Sequence, residues 1–223
     1  MRHFVEELEQ LQARMLEMAG LVEFGVHASV LCLIEHSEPL AQEVLRNETR
    51  INQMEIEIDD MAVGLLARQQ PMAKDLRLLT AAIKINNDLE RMGDLAVNIV
   101  ERGLSLMRQP SVKPLIDIPR LAQLTEAMVR KSLDAFVKRD ASLARSVLLS
   151  DDAVDDLRDS IYEELIWFME REPATISRAL DLIFIARYLE RIADHATNIA
   201  EDVLFLVEGV DVRHHAEARE TME

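Results

Sequence analysis

The feature that most constrains this chain is an internal repeat. Residues 89–101 read Leu-Glu-Arg-Met-Gly-Asp-Leu-Ala-Val-Asn-Ile-Val-Glu, and residues 189–201 read Leu-Glu-Arg-Ile-Ala-Asp-His-Ala-Thr-Asn-Ile-Ala-Glu. Eight of the thirteen positions are identical at an offset of 100 without a gap, and the changes Met92 to Ile192 and Gly93 to Ala193 preserve residue character. A weaker echo lies upstream, where Val44-Leu45, Glu48 and Ile51-Asn52 answer Val147-Leu148, Asp151 and Val154-Asp155. Any fold for this sequence must therefore contain one unit twice.

Each unit is helical. Apolar residues recur at spacings of three and four, as in Leu8, Leu11, Met15, Met18 and Val22, then Val26, Val30 and Leu33, and no run alternates apolar with polar in the manner of a strand. The fold class is all-α. Breakers at Pro39, Pro71, the 110–119 cluster, Arg139-Asp140 and Pro173 divide the periodicity into six long helices. Residues 110–119 hold half of the six prolines and fall at the midpoint of the 223-residue chain, so they predict a linker. The expected architecture is two tandem three-helix bundles related by a pseudo-twofold repeat, 1–109 and 120–223, set end to end.

The repeated segment carries an acidic stripe. On a helix advancing about 100° per residue, Glu90, Asp94, Asn98 and Glu101 fall within an arc of about 80°, as do Glu190, Asp194, Asn198 and Glu201. Each set extends over about 16 Å, too far for one ion with ligand bonds of about 2–2.6 Å, so a cation would use an i, i+4 pair or several would line the stripe. Glu48, Asn52, Asp151 and Asp155 on the second helices are further oxygen donors. An all-oxygen set suits magnesium, manganese, calcium or ferric iron, with zinc less expected. The same residues also read as a solvated polar face with ion pairs to Arg91 and Arg191, and the pattern alone leaves both readings open.

Other chemistries find less support. A formal charge of −16 and the lack of a basic cluster argue against direct nucleic-acid binding. Cys32 is the only cysteine and sits in an apolar run, which excludes an intrachain disulfide and a multi-cysteine metal site and suits a reducing cytoplasm. The di-iron motif Glu-x-x-His occurs nowhere, and neither does a Gly-rich phosphate loop or a Gly-x-Ser-x-Gly elbow. His195 projects about 100° from Asp194 and reads as a packing or surface residue rather than a ligand. Acids interrupt the N-terminal apolar residues at once, so no export signal is expected, and the apolar stretch 180–189 is too short to span a bilayer. Membrane contact would be peripheral.

Three segments carry a family resemblance: Arg68-Gln-Gln-Pro71-Met-Ala73-Lys-Asp75-Leu76-Arg77, the doubled Leu-Glu-Arg-x-x-Asp-x-x-x-Asn-Ile, and Val207-Glu208-Gly209-Val-Asp211-Val-Arg213-His214. In these, in family order along most of its length, the chain resembles the PhoU phosphate-signalling proteins. The resemblance implies two three-helix bundles whose Glu/Asp-x-x-x-Asp motifs, here Glu90, Asp94, Glu190 and Asp194, bind iron or zinc in some members. Position 48 is Glu where family members commonly carry Asp. The implied role is a cytoplasmic, non-enzymatic negative regulator of phosphate uptake and the Pho regulon. As an adaptor it would link the ATPase subunit of the phosphate ABC transporter to a membrane sensor histidine kinase, and a homodimer or higher oligomer is expected. The alternative is a carboxylate-bridged metal-binding or metal-storage protein.

Overall fold

The computed structural model describes residues 2–69, 71–210 and 212, and among them no strand occurs. The first unit comprises α1 (Arg2–Glu35), α2 (Glu38–Gln69) and α3 (Lys74–Leu106). The second comprises α4 (Asp117–Lys138), α5 (Ala141–Leu148), α6 (Asp151–Arg171) and α7 (Ile176–Glu208), with a 3₁₀ turn at Pro173–Thr175. Six helical segments are therefore present, the fifth divided into α5 and α6. At that division the Ser150 hydroxyl donates to the Ser146 carbonyl at 2.8 Å and the Ser150 amide to that of Val147 at 2.9 Å, tightening the turn before α6 restarts.

Helix ends follow local chemistry. Asp140 caps α5 by accepting from the Ser142 hydroxyl at 2.6 Å and from the amides of Leu143 at 3.0 Å and Ser142 at 2.9 Å, which together hold its carboxyl below the usual range. His36 and Arg139 take left-handed backbone angles where α1 and α4 end. Asp117 to Pro119, expected in the linker, instead form the first turn of α4, where proline's missing amide is no loss. The remaining connection is packed down: Val112 and Leu115 lie against the core, and Lys113, 8% exposed, pairs with Asp117 and Glu164.

The repeat is visible in burial. Leu79, Ala82, Ile85, Leu89, Met92, Gly93, Ala96, Ile99 and Val100 on α3 are buried, and so is each residue 100 positions later on α7. Glycine at 93 has a specific reason, since a Cβ there would stand 3.2 Å from Ile51 Cδ1 on α2.

The end-to-end arrangement is corrected by the structure. The most extensive helix–helix contact joins α3 to α7, so the units pack side by side, with α1 also touching α4. Lys84 pairs with Asp202, Asp88 with His195 and Arg102 with Asp181, so α3 and α7 run antiparallel. Both helices are buried on more than one side, with small residues such as Ala81, Ala96, Ala186 and Ala196 permitting close approach. One hydrophobic core consequently spans both units. Separate bundles in line would have left this second apolar strip in water.

One helical stretch, Phe4–Glu35, is long and apolar enough by composition to cross a membrane. In the fold 56% of its most apolar window is buried, because α1 packs on α2, α3 and α4. Its hydropathy is that of a helix covered by three neighbours.

Candidate cation site

The stripe residues flank the buried ridge of α3 and α7. On α2 Glu55 and Glu48 lie near enough for their charges to act on Glu90, with Asn52 donating to Glu48, while on α6 Asp151 and Asp155 act on Asp194. The clustering appears in the proton affinities. Burial raises the Glu90 carboxyl, and the charges of Asp94, Glu55 and Glu48 raise it further, with Arg91 opposing. Burial likewise raises Asp151, assisted by Asp155, Asp152 and Glu190. Asp194 keeps one side open to solvent, yet partial burial and then Glu190, Asp151 and Asp155 push it up to about 6.

The remaining stripe residues diverge from these clusters. Asn198 is exposed and turns toward Asp88 on α3, with Nδ2 3.4 Å from Oδ1. Glu201 lines a separate groove of about 520 Å³ with Glu55, Asp59, Lys84, Asp88 and Asp202. Asn98 is half-buried and Glu101 exposed, farther along α3. The structure thus gathers Glu48, Asn52, Glu90 and Asp94 in one unit and Asp151, Asp155, Glu190 and Asp194 in the other.

Whether these groups fit a cation can be judged from their chemistry. All are oxygen donors, and crowded carboxyls with raised proton affinity are the setting that a hard cation relieves. Asn52 Nδ2 donates to Glu48, leaving Asn52 Oδ1 buried without a hydrogen-bond partner. Among the described residues, however, no three His, Cys, Asp or Glu side chains stand close enough to hold a metal ion as placed. The donor types suit a hard cation, but their placement does not, and ligation would require side-chain rotation on these helices.

The family-signature residues frame one end of the α3–α7 pair. Arg68 pairs with Glu7 at 2.9 Å, Pro71 precedes α3, and Asp75 lies in its first turn, where a carboxylate complements the helix dipole. Arg77 packs beside Gly209, which caps α7 with φ of 76°. Arg213 lies outside the described residues.

Sequence reasoning missed the seam between the units. Asp88, Asp181 and Asp202 are 7%, 7% and 6% exposed, and each is satisfied from the opposite helix. Asp202 accepts from Lys84 at 2.7 Å, and Asp181 accepts from Arg102 at 3.0 Å and Ser105 at 3.3 Å. His195, read as a packing or surface residue, reaches Asp88 across this seam. The available signal lay in positions where the repeats differ: Lys84 against Phe184, Asp88 against Tyr188, and Arg102 against Asp202. Arg102 also lies over the Phe184 ring at 4.7 Å, opposite in the pseudo-twofold to the Lys84–Asp202 pair.

Fold and site together define a class: a duplicated three-helix protein with paired carboxylate clusters flanking a charged internal seam. The PhoU domain matches residues 15–103 and again 118–203, and the chain belongs to the PhoU family. It is 43% identical over its whole length, and over 87% of the relative, to a phosphate-specific transport system accessory protein PhoU homolog of Pseudomonas putida. A Pseudomonas aeruginosa relative of the same description is 42% identical over 96% of this chain and 88% of its own. The crystal structure of PhoU from Pseudomonas aeruginosa superposes with a TM-score of 0.90 at 41% identity, covering 93% of this chain and all of that one. The phosphate transport system regulatory protein PhoU from Streptococcus pneumoniae gives 0.85 at 27% identity, covering 94% and 99%.

Proposed function

We propose that this chain is a cytoplasmic accessory protein that negatively regulates phosphate uptake and Pho regulon signalling. It would act as an adaptor between the ATPase subunit of the phosphate ABC transporter and a membrane sensor histidine kinase. The observation that carries the reading is full-length similarity to proteins described as phosphate-specific transport system accessory proteins, at 43% identity. An adaptor needs rigid surfaces rather than a reacting centre, and a hydrophobic cluster that runs through both units supports such a body. Assembly as a homodimer or higher oligomer belongs to the same proposal.

Within it, Glu48, Asn52, Glu90 and Asp94, and their counterparts Asp151, Asp155, Glu190 and Asp194, would hold iron, zinc, magnesium or manganese. Such a cation would supply charge neutralisation between facing helices. The chain's own residues would do the rest, with two donors from each of α2 and α6 and two from each of α3 and α7.

Deletion of the gene, followed by alkaline phosphatase and phosphate-uptake assays in phosphate-rich medium, tests the role. Derepressed phosphatase, restored by the intact gene, is the expected result; unchanged regulation in the deletion strain would overturn it. A metal-storage protein is the second reading, favoured by the raised proton affinities of Glu90, Asp151 and Asp194. Metal analysis of protein purified without chelator separates the two. Storage requires ions in excess of the two clusters, and regulation requires no more than the clusters can hold.

A further inference from the structure

The repeat extends to the first helix of each unit, and there it leaves one face of the molecule uncovered. Glu23 and His27 on α1 lie 103 positions before Glu126 and Arg130 on α4, and the pairs cross: Arg130 donates to Glu23 at 3.0 Å, and His27 Nδ1 stands 3.2 Å from Glu126. These contacts set α1 antiparallel to α4, with a groove of about 350 Å³ between them. Leu16, Gly20, Phe24, His27, Leu31 and Ile34 fall within an arc of about 80° on the outer side of α1 and extend over about 27 Å. All six are exposed or half-buried, Leu16 and Ile34 at 45% and 42%, and α4 adds the exposed Ala127 and Val137. A mainly apolar stripe of this length on a solvent face is the pattern of a helix that packs on one more neighbour. Gly20 adds to it: glycine within a helix costs about 1 kcal/mol against alanine, yet a Cβ there would meet nothing within 4 Å, so packing inside the chain does not ask for it.

We propose that this face binds a second copy of the chain about a twofold axis parallel to α1 and α4, so that α1 of each copy lies on α4 of the other. This rests on the assembly part of the reading above and names its surface. The orientation follows from charge. At equivalent positions of the repeat the outer edges of the face carry opposite signs: Glu17 and Glu35 on α1 answer Arg120 and Lys138 on α4, and all four are exposed. In the antiparallel register fixed by the crossed pairs, Glu35 is level with Arg120 and Glu17 with Lys138 to within two residues, about 3 Å of rise. A twofold axis along the helices keeps that level while exchanging the two edges, so it brings Glu35 to the partner's Arg120 and Glu17 to the partner's Lys138. An axis across the helices would lay acid on acid and base on base. Gly20 then stands where a facing helix needs room for close approach.

Sedimentation velocity of the full-length protein across a concentration series tests this, with circular dichroism confirming that each variant stays helical. The wild type should dimerise. Glu35→Arg and Arg120→Glu each set like charges together twice per dimer and should weaken it at least tenfold. Both changes in one chain should restore it, and the two single variants mixed should pair with each other more tightly than either does with itself. Gly20→Arg, whose side chain points into open space in the monomer, should abolish the dimer. A dimer indifferent to Gly20→Arg and to both charge reversals would overturn the choice of surface while sparing assembly. A double variant as weak as the single ones would overturn the pairing of α1 with α4. A wild type that is monomeric at every concentration would overturn the inference and the assembly together, and leave the regulatory role to the deletion assay.

Discussion

His195 Nδ1 donates to Asp88 Oδ1 at 2.8 Å, joining the acidic helix of one unit to that of the other. Asp88 is 7% exposed and its further contact, Asn198 Nδ2, stands at 3.4 Å, so His195 is its principal partner. Removing the imidazole leaves a buried carboxylate under-satisfied, a loss of about 1–3 kcal/mol. Urea unfolding of His195→Ala should show a lower midpoint with an unchanged slope. A midpoint within error of wild type would mean that the contact contributes nothing to the seam.

The second pair in the seam gives a coupling measurement. Arg102→Ala should destabilise by roughly 1–3 kcal/mol, because among the described residues Asp181 then keeps the Ser105 hydroxyl at 3.3 Å as its side-chain donor. Asp181→Ala added to Arg102→Ala should cost less than it does alone, with an interaction energy of about 1 kcal/mol. Strict additivity in the double-mutant cycle would refute the pairing.

Gly209 closes α7 with φ of 76°, a conformation that a side chain disfavours. A Cβ there would lie 3.7 Å from Arg77 Nη1, an ordinary contact, so the strain in Gly209→Ala is that of the backbone alone. Thermal unfolding should report a loss of about 1 kcal/mol. Replacement by Asn, which tolerates left-handed angles better, should recover part of it.

Stability should fall as pH rises through the carboxyl of Asp194. Its ordinary value of 3.8 is raised to about 6 in the folded chain, so the native state binds this proton more tightly than the unfolded state does. The associated stabilisation is complete below about pH 4 and is lost as pH rises through about 6. After discounting for solvent screening at this partly open carboxyl, Asp194→Asn should gain about 1 kcal/mol over wild type at pH 8 in chelator. It should gain little at pH 4. Parallel pH–stability curves for the two proteins would show that this carboxyl is not the source.

The unequal treatment of the two stripes shows how far the sequence could be followed. Glu90, Asp94, Glu190 and Asp194 were legible because periodicity places i, i+4 residues on one face, and duplication drew attention to them. Asn98, Glu101, Asn198 and Glu201 satisfied the same periodicity, yet Asn198 turns to Asp88 across the seam and Glu201 lines a separate groove with α3 side chains, because the partner that covers each face is chosen by the packing of the two units. Arg158, which donates to Asp155 at 2.9 Å and to Glu190 at 2.6 Å, escaped notice because it belongs to the weaker repeat.

The sequence by itself determined the helices, the duplication, the buried ridge of each third helix and the acids beside it, since all are consequences of local periodicity. The tertiary structure alone decided that α3 lies antiparallel against α7, that Asp88 meets His195, and that Arg158 bridges Asp155 and Glu190. Periodicity specifies which face of a helix must leave water and is silent about which neighbour covers it. Across the pseudo-twofold, moreover, the contacts join positions that are not equivalent in the repeat, such as 84 with 202 and 102 with 181, so comparing the two copies could not pair them.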